Sequence, residues 1–231
     1  MAPTPELSIG CVRMEWQEPV NMFTGKELSM VLCSYVLGCC TAGYYWVRIR
    51  TGQDIRRLGS GNVGARNVGR TLGPSGFALT FFFDFCKGTI AVWTAHFLEL
   101  GPEATIACML AVVVGHAWPL QLRFHGGKGI ATSLGALFCY NPTIGLILFA
   151  LFIPILLTLR IFTLSGLLAY ALCPLAAFLA GYTHMEVAAI SFLSMLVLIT
   201  HHRNIREEIT RLLPHKVSKD ADNQEGSDHE R

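Results

Sequence analysis

The chain has 231 residues, of which 52% are hydrophobic and only 15% are charged, and its formal net charge is +2. Soluble domains carry roughly 25% charged residues, so this chain has too little polar surface for a soluble domain of its size. The composition also excludes a disordered chain, a disulfide-stabilised mini-protein and a typical nucleic-acid-binding protein. We therefore predict an all-α integral membrane protein that crosses the bilayer several times.

Apolar runs along the chain mark the candidate membrane spans. A bilayer core about 30 Å thick needs about 20 apolar residues in a helix. Residues 129–140 are apolar but reach only about 18 Å at 1.5 Å per residue, and Asn141-Pro142 separates them from the next run. The other candidate spans are 27–47, 76–98, 104–122, 143–159, 164–181 and 185–201.

The positions of the basic residues decide whether 129–140 counts as a span. Arginine and lysine occur between the first two spans, after the third, after residue 159 and beyond the last span. Cytoplasmic loops collect Lys and Arg, and all these segments face the cytoplasm only if 129–140 also crosses. We therefore predict seven transmembrane helices, with the N-terminus outside and the C-terminus in the cytoplasm.

The same reasoning divides the chain into three parts. Residues 1–26 form an N-terminal extension, 27–216 form the seven-helix membrane domain, and 217–231 form a polar, disordered tail. Within the membrane domain, residues 204–216 have apolar side chains on one helical face, which predicts a short amphipathic helix on the cytoplasmic surface. The eight cysteines form no CxxC pair and no cluster with histidine, so we predict neither a metal site nor a disulfide framework.

The first polar segment, residues 59–70, reads GSGNVGARNVGR. Glycine lets the backbone approach a ligand and present its N–H groups, and arginine can bind a phosphate through two hydrogen bonds. These residue types indicate a phosphate-binding loop at a membrane surface. A flexible basic loop that only sets the topology has a similar composition, so both interpretations stay open. The candidate binding residues are Ser60, Gly61, Asn62, Gly64, Arg66, Asn67 and Arg70.

The second polar segment, residues 115–129, contains GHAWP and RFHGGKG. Lys128 lies between glycines where a helix is predicted to begin, and a helix N-terminus beside an ammonium group favours an anion. The segment is not a P-loop, because Gly129 and not Ser or Thr follows Lys128. The alternatives are a glycine turn with an interfacial lysine, and a purely structural role for the histidine. The candidate binding residues are His116, Gly126, Gly127, Lys128 and Gly129.

The third polar segment, residues 201–205, reads HHRNI. His201 and Asn204 are three residues apart and share a helix face, so they can point into one pocket. An interfacial cap of polar residues is the alternative. A further pair, Asp84 and Lys87, lies within the second span, where charges are costly and either pair or face a cavity. Their spacing permits a direct ion pair, and we favour a structural pair over direct catalysis.

The three segments follow the first, third and seventh spans, which places all of them on one face of the membrane. Arg66, Arg70, Lys128 and His201 would then surround one pocket, and Asp54 is the only acidic residue in the first basic loop. Such a pocket suits anionic substrates, most simply phosphates.

These segments resemble motifs of the bacterial acyl-phosphate:glycerol-3-phosphate acyltransferases. Residues 60–70 are similar to the family's Ser-Gly-Asn-x-Gly-Ala-Thr-Asn-x-x-Arg, and 115–129 to its Gly-His-x-Phe/Trp-Pro and Phe-Lys-Gly-Gly-Lys-Gly. Residues 201–205 are similar to His-x-x-Asn-Ile, and 84–88 to Asp-x-x-Lys-Gly. The motifs occur in the family's order over about residues 28–216.

The resemblance implies a seven-helix enzyme in the bacterial plasma membrane, with its active site facing the cytoplasm. It implies transfer of a fatty acyl group from acyl phosphate to the 1-hydroxyl of glycerol 3-phosphate, which yields lysophosphatidic acid and phosphate, the first acylation of phospholipid biosynthesis. It implies no cofactor, no metal and no nucleic-acid partner, membrane lipids as surroundings, and a monomer. The implied catalytic residues are Ser60, Arg70, Lys128, His201 and Asn204, with the remaining candidate residues in substrate binding.

Two positions depart from the family's pattern. Arg66 stands where threonine is usual, and His125 stands where lysine is usual. These changes motivate an inactive homologue as one alternative, and a membrane transporter for an organic phosphate is another. A transporter is predicted to carry charged residues along a central path, whereas this chain collects its polar segments at one face.

Overall fold

The structure is a computed structural model that describes residues 23–202 and 205–206, and in this part of the chain its regular secondary structure is helical only. The α-helices follow one another as α1 (Gly25–Cys39), α2 (Ala42–Thr51), α3 (Ala65–Leu72), α4 (Pro74–Phe97), α5 (Pro102–Ala117), α6 (Ile130–Tyr140), α7 (Pro142–Leu159), α8 (Phe162–Leu179) and α9 (His184–Thr200). Short 3-10 helices, Ile55–Arg57 and Leu120–Leu122, lie after α2 and α5.

Within the described residues, five helical stretches are long and apolar enough to cross a membrane. They are Gly25–Thr51, Pro74–Phe97, Pro102–Leu122, Pro142–Leu159 and Phe162–Leu179. The apolar helices α6 and α9 are shorter and coincide with the predicted spans 129–140 and 185–201. The prediction of an all-α membrane protein is confirmed, and the number of crossings stays a prediction.

Local sequence explains where most helices begin. Thr24 and Thr183 form capping boxes at α1 and α9, in which the carboxylates of Glu27 and Glu186 accept hydrogen bonds from the threonine N–H groups. Proline occupies the first position of α4, α5 and α7, where its missing N–H costs nothing. The side chain of Asn141 also caps α7, so α6 and α7 are separate helices as the sequence predicts.

The predicted first span is interrupted between α1 and α2. At the break, Lys87 donates hydrogen bonds of 3.1 Å to the carbonyls of Gly38 and Cys40, and Gln121 donates to the carbonyl of Cys39. Irregular backbone at membrane depth is tolerated when the protein satisfies it in this way. A second departure is that the predicted polar loop 59–70 is helical from residue 65 onward, where α3 begins.

Glycine pairs bring two sets of helices into close contact. Gly38 of α1 faces Gly115 of α5, and a Cβ on Gly38 would lie 3.0 Å from the Cα of Gly115. Gly88 of α4 faces α6 in the same way, since its Cβ would lie 2.9 Å from the backbone nitrogen of Ala136. Small residues allow helix backbones to approach this closely. The α4–α6 contact fixes the position of the Lys128 loop that precedes α6.

The helices surround one main core and leave apolar surface outside. This core is formed by residues of the helices from α4 through α9, and Leu137, Ile144 and Leu193 are fully buried in it. Large apolar residues such as Ile49 and Leu157 are more than 70% exposed, as lipid-facing residues are. A smaller cluster under the residue 59–70 segment supports the site, and it contains Val47, Ile55, Val63, Val68 and Leu122.

Candidate active site

A cavity of about 440 Å³ brings the three polar segments together. Its polar wall comes from the start of α3, the start of α6 and the end of α9, and its apolar wall comes from α4, α7 and α8. The polar side chains that line it are Ser60, Asn62, Arg66, Asn67, Arg70, Lys128, Thr163 and His201, together with Asp84, His116 and Tyr170.

Asn67 holds the first polar segment in shape. Its side chain is buried, its Oδ1 accepts a hydrogen bond from the Ser60 N–H at 2.9 Å, and its Nδ2 donates to the carbonyls of Leu58 and Asn62, also at 2.9 Å. Asn62 Oδ1 in turn accepts from the N–H of Gly64, the cap residue of α3. These amide side chains therefore order the loop that presents the Ser60 hydroxyl to the cavity.

Arg66 and Arg70 lie four residues apart on α3 and both line the cavity. Both are exposed, so they retain contact with solvent at the mouth of the cavity. The Arg66 guanidinium donates a hydrogen bond to the Thr163 hydroxyl at the start of α8. Arg66 therefore bridges two helices that form opposite parts of the site, which no feature of the sequence predicts.

The glycine-lysine loop, residues 126–129, folds back on the end of α5. Gly127 N–H donates to the carbonyl of His116 at 3.0 Å, and Gly126 N–H donates to that of Ala117 at 3.1 Å. Gly129 has a φ of 82°, a left-handed conformation that suits glycine, and it caps α6. The Lys128 carbonyl accepts from the Thr200 hydroxyl of α9 at 2.9 Å. Lys128 and the first residues of α6 therefore line the cavity, and an ammonium group beside a helix N-terminus is an arrangement that suits an anion.

His201 is buried at the end of α9 and lines the cavity. Its Nδ1 lies 2.8 Å from the carbonyl of Val197, so Nδ1 carries the proton and Nε2 is the unprotonated nitrogen.

The predicted pair of Asp84 and Lys87 is confirmed, with the ammonium 2.8 Å from Asp84 Oδ1. His116 joins the pair, since its Nδ1 lies 2.7 Å from the Lys87 ammonium. Asp84 also borders the cavity, the other arrangement that the sequence analysis allows for a charge within a span. The ammonium of Lys87 offsets the negative charge of Asp84, so the side chains around the cavity keep a net positive charge.

A second carboxylate near the site, that of Asp54, is paired with an arginine. Asp54 accepts from Arg56 at 2.6 Å, and this contact lowers the pKa of the Asp54 carboxyl. Arg56 also donates to the carbonyl of Leu122 at 3.0 Å, which ties the first polar segment to the second. The only acidic residue of the first basic loop is therefore part of the scaffold.

Some predicted residues do not line the cavity. Gly126 and Gly127 pack behind it. A Cβ on Gly126 would lie 2.7 Å from the Ala117 carbonyl oxygen, and a Cβ on Gly127 would lie 2.6 Å from His116 Cε1. Gly61 has a φ of 71° and forms a turn outside the cavity. Asn204 lies outside the described residues, as does most of the predicted helix 204–216.

The apolar wall was only partly foreseeable. Phe77 and Phe81 are four residues apart on α4 and line the cavity together, a spacing that the sequence displays. Phe152, Phe162 and Gly166 come from α7 and α8, and nothing in the sequence distinguishes them from lipid-facing residues. His125 lies outside the cavity, with its Nδ1 2.6 Å from the Arg123 carbonyl.

Known proteins with similar sequences are described as glycerol-3-phosphate acyltransferases. Residues 28–211 match the family of glycerol-3-phosphate acyltransferases. Glycerol-3-phosphate acyltransferase 1 of Desulfitobacterium hafniense is 37% identical over 185 residues, which cover 80% of this chain and 92% of that protein. The glycerol-3-phosphate acyltransferase of Rubrobacter xylanophilus is 39% identical over 180 residues, covering 78% and 90%.

Solved structures that are similar to this chain come from a protein with the same description. The crystal structure of PlsY (YgiH), an integral membrane glycerol 3-phosphate acyltransferase, in its glycerol 3-phosphate form has a TM-score of 0.74 and 35% identity, and the match covers 80% of this chain and 93% of that one. Its lysophosphatidic acid form has a TM-score of 0.71 and 33% identity over the same shares. The chain therefore belongs to the glycerol-3-phosphate acyltransferase family.

Proposed function

We propose that this protein transfers a fatty acyl group from acyl phosphate to the 1-hydroxyl of glycerol 3-phosphate, forming lysophosphatidic acid and inorganic phosphate. The observation that carries the proposal is one cavity with a cationic polar wall and an aromatic, aliphatic wall. Acyl phosphate needs both walls, because it combines a phosphate with an apolar chain, and glycerol 3-phosphate needs the cationic wall for its phosphate. The glycerol 3-phosphate and lysophosphatidic acid forms of the similar structures support the same substrate and product.

The chemistry that the site must supply is mainly positional. Acyl phosphate is a mixed anhydride and already carries a good leaving group. The hydroxyl oxygen attacks the acyl carbon, the carbon–oxygen bond to phosphate breaks, and the phosphate leaves with the electron pair. Two phosphate groups must approach each other, and Arg70, Lys128 and the N-terminus of α6 offset their repulsion. Ser60 is positioned for a hydrogen bond to a phosphate oxygen or to the carbonyl oxygen.

The hydroxyl proton has two available acceptors. His201 presents an unprotonated Nε2, which is one acceptor. A negatively charged phosphate oxygen of the substrate is the other, and with it the departing phosphate ends with the proton. We infer that His201 binds and orients the substrate and that the substrate assists its own proton transfer.

The apolar wall gives the acyl chain its place. Phe77, Phe81, Leu148, Phe149 and Phe152 line the cavity. Because lipid tails are as apolar as these side chains, they hold an acyl chain from the bilayer by packing against it and not by removing it from water. A chain that resides in the bilayer can reach this wall without crossing water, which accounts for a membrane-embedded enzyme.

We further propose seven crossings by a monomer in the bacterial plasma membrane, with residues 27–216 as the membrane domain and the active site toward the cytoplasm. The basic residues near Arg66, Lys128, Arg160 and His202 support this orientation. A fluorescent protein fused after residue 231 should fold and fluoresce, since the proposal leaves the C-terminus in the cytoplasm. A dark fusion, with a periplasmic reporter active at the same position, contradicts the seven crossings.

The donor test decides the function. Purified protein in nanodiscs receives radiolabelled glycerol 3-phosphate with either acyl phosphate or acyl-CoA. We expect labelled lysophosphatidic acid with acyl phosphate and none with acyl-CoA. If neither donor gives product and proteoliposomes instead accumulate glycerol 3-phosphate, the acyltransferase proposal is wrong and transport is the activity.

A further inference from the structure

A second pocket, of about 540 Å³, lies at the end of the first apolar stretch. Its walls come from α2 and from the segment 52–58 that follows it, and it shares no lining residue with the active-site cavity. The space beside the turn is open, since a Cβ on Gly52 would meet nothing within 4 Å. The lining residues are Tyr44, Arg48, Gly52, Gln53, Asp54, Arg57 and Leu58. The proposed acyl transfer uses none of them.

The outer surface of α2 places this pocket at the edge of the bilayer. α2 ends the stretch Gly25–Thr51, which is apolar and long enough to cross a membrane. Tyr45 and Ile49 are four residues apart on α2 and are 45% and 76% exposed, as side chains that face lipid are. Trp46 follows Tyr45, and the Arg50 guanidinium lies 5.6 Å from the centre of its ring. Aromatic rings and arginines at the end of a span mark the level of the lipid headgroups, so the pocket opens at that level.

The pocket has a net positive charge although a carboxylate lines it. Asp54 accepts hydrogen bonds from Nε and Nη2 of Arg56, at 3.0 Å and 2.6 Å, and a third from the Arg56 backbone N–H at 2.9 Å. Arg56 therefore neutralises this carboxylate, and Arg48 and Arg57 carry the remaining charge. Both arginines are exposed, and Arg48 Nη1 donates to the carbonyl of Gly52 at 2.7 Å. A guanidinium has five N–H donors, so this contact leaves Arg48 able to bind a phosphate as well.

We propose that this pocket binds the phosphate headgroup of an anionic phospholipid, and that Arg48 and Arg57 hold the phosphate. The acyl chains of the lipid would lie along the neighbouring side of α2, where Tyr45 and Ile49 are exposed. A zwitterionic lipid fits less well, because its headgroup adds a cation that two arginines repel. A free phosphate has the charge but lacks the chains, and so gains nothing from a pocket at the level of the headgroups.

Bound lipid can be counted without any activity measurement. The full-length protein in detergent is titrated with phosphatidylglycerol or with phosphatidylcholine of the same acyl chains, and native mass spectrometry counts the lipid molecules on each protein. We expect one phosphatidylglycerol to bind about tenfold more tightly than phosphatidylcholine, because anionic lipids are attracted by basic residues at the membrane surface. Equal affinities for the two lipids overturn the proposal.

Three matched variants locate the headgroup, because each removes one positive charge near the end of α2. We expect Arg48→Gln and Arg57→Gln each to weaken phosphatidylglycerol binding about fivefold or more, and Arg50→Gln, outside the pocket, to weaken it less than about twofold. Equal losses in all three variants indicate attraction by a diffuse basic surface and overturn the proposal. A loss of binding in Lys128→Ala with none in the two pocket variants also overturns it, since the headgroup then lies in the active-site cavity.

Thermal unfolding in the same detergent separates a lipid from free phosphate as the ligand. A ligand that binds only the folded protein raises the midpoint of unfolding. We expect phosphatidylglycerol to raise the midpoint of the unmodified protein and of Arg50→Gln more than that of Arg57→Gln, and inorganic phosphate to act equally on all three. Stabilisation by inorganic phosphate that is lost in Arg57→Gln assigns the pocket to a free anion and overturns the lipid assignment.

The assignment is tested independently of the proposed function. Lipid binding requires no acyl transfer, so a protein that forms no lysophosphatidic acid still supports or overturns the lipid site. Arg48→Gln also removes the hydrogen bond to the Gly52 carbonyl. If that variant does not fold, the comparison of Arg57→Gln with Arg50→Gln decides the outcome.

Discussion

Lys128 lines the cavity from the loop before α6 and Arg70 lines it from α3, so the proposed function gives each residue its own part in binding phosphate. We expect Lys128→Ala and Arg70→Ala each to lower kcat/KM about 100-fold or more, as losses of single charge-stabilising donors do in other active sites. Acyl transfer by purified variants measures this effect. Arg50→Ala is the control, because Arg50 packs over the Trp46 ring away from the cavity. Near-normal turnover in either test variant contradicts the site.

The inferred binding role of His201 gives a prediction about pH. A residue that binds and orients the substrate without taking its proton should matter equally to the rate at every pH. We expect His201→Gln to lower kcat by a factor that stays constant between about pH 5.5 and 8. If the ratio of the two rates instead changes with a midpoint near 6.5, His201 titrates in the working range and acts as a base.

At the scale of helices, the bridge from Arg66 to Thr163 joins α3 to α8. We expect Arg66→Thr to raise the KM for glycerol 3-phosphate about three- to tenfold, less so at high salt, because Arg66 is exposed and its charge is screened. Thr163→Val removes the hydrogen bond and keeps the charge, so its effect should be smaller. Acylation that appears only when Arg66→Thr is combined with His125→Lys would identify the unmodified chain as an inactive homologue.

The contact between α4 and α6 depends on glycine at position 88. A Cβ there would lie 2.9 Å from the Ala136 nitrogen and closer to the Thr132 carbonyl. We expect Gly88→Ala to destabilise the protein by about 1–3 kcal/mol, because backbone atoms cannot move aside as a flexible side chain can. Thermal unfolding in detergent measures the effect. Gly25→Ala is the matched control, since a Cβ on Gly25 meets nothing within 4 Å, and an equal loss in both variants contradicts the packing argument.

At the scale of the whole molecule, α7 and α8 line part of the cavity, and in the proposed function this part holds the acyl chain. Gly166 lines it, and the nearest atom to a Cβ on Gly166 is Phe152 Cε2 at 4.0 Å. We expect Gly166→Leu to fill this space and shift the donor preference toward shorter acyl phosphates. A competition among acyl phosphates of different length measures the shift. Leu168→Phe, at an exposed position outside the cavity, should leave the preference unchanged.

The membrane environment follows from the same arrangement. Polar groups of the described residues gather at the ends of α3, α6 and α9, while the outward surfaces of α4, α7 and α8 carry large exposed apolar side chains such as Trp93, Leu157 and Leu175. In the proposed reaction, phosphates reach the cavity from the water side and an acyl chain reaches it from the lipid side.

The sequence by itself determined the class of the protein, the positions of its apolar helices and the three polar segments, because composition and local pattern carry that information. It also anticipated the pair of Asp84 and Lys87, whose spacing along α4 places them together. The sequence also predicts that segments 59–70, 115–129 and 201–205 belong to one site, although several of their glycines support the backbone and do not line the cavity.

Only the tertiary structure decided which distant side chains meet. Arg66 contacts Thr163, which is 97 residues away in the sequence, and Lys87 contacts His116, which is 29 residues away. The break between α1 and α2 is likewise explained by Lys87 and Gln121, which lie far along the chain. No local pattern in the sequence encodes such contacts, because they depend on how closely the helices pack. The close packing is made possible by glycines, and the residues that each glycine faces are known only from the assembled fold.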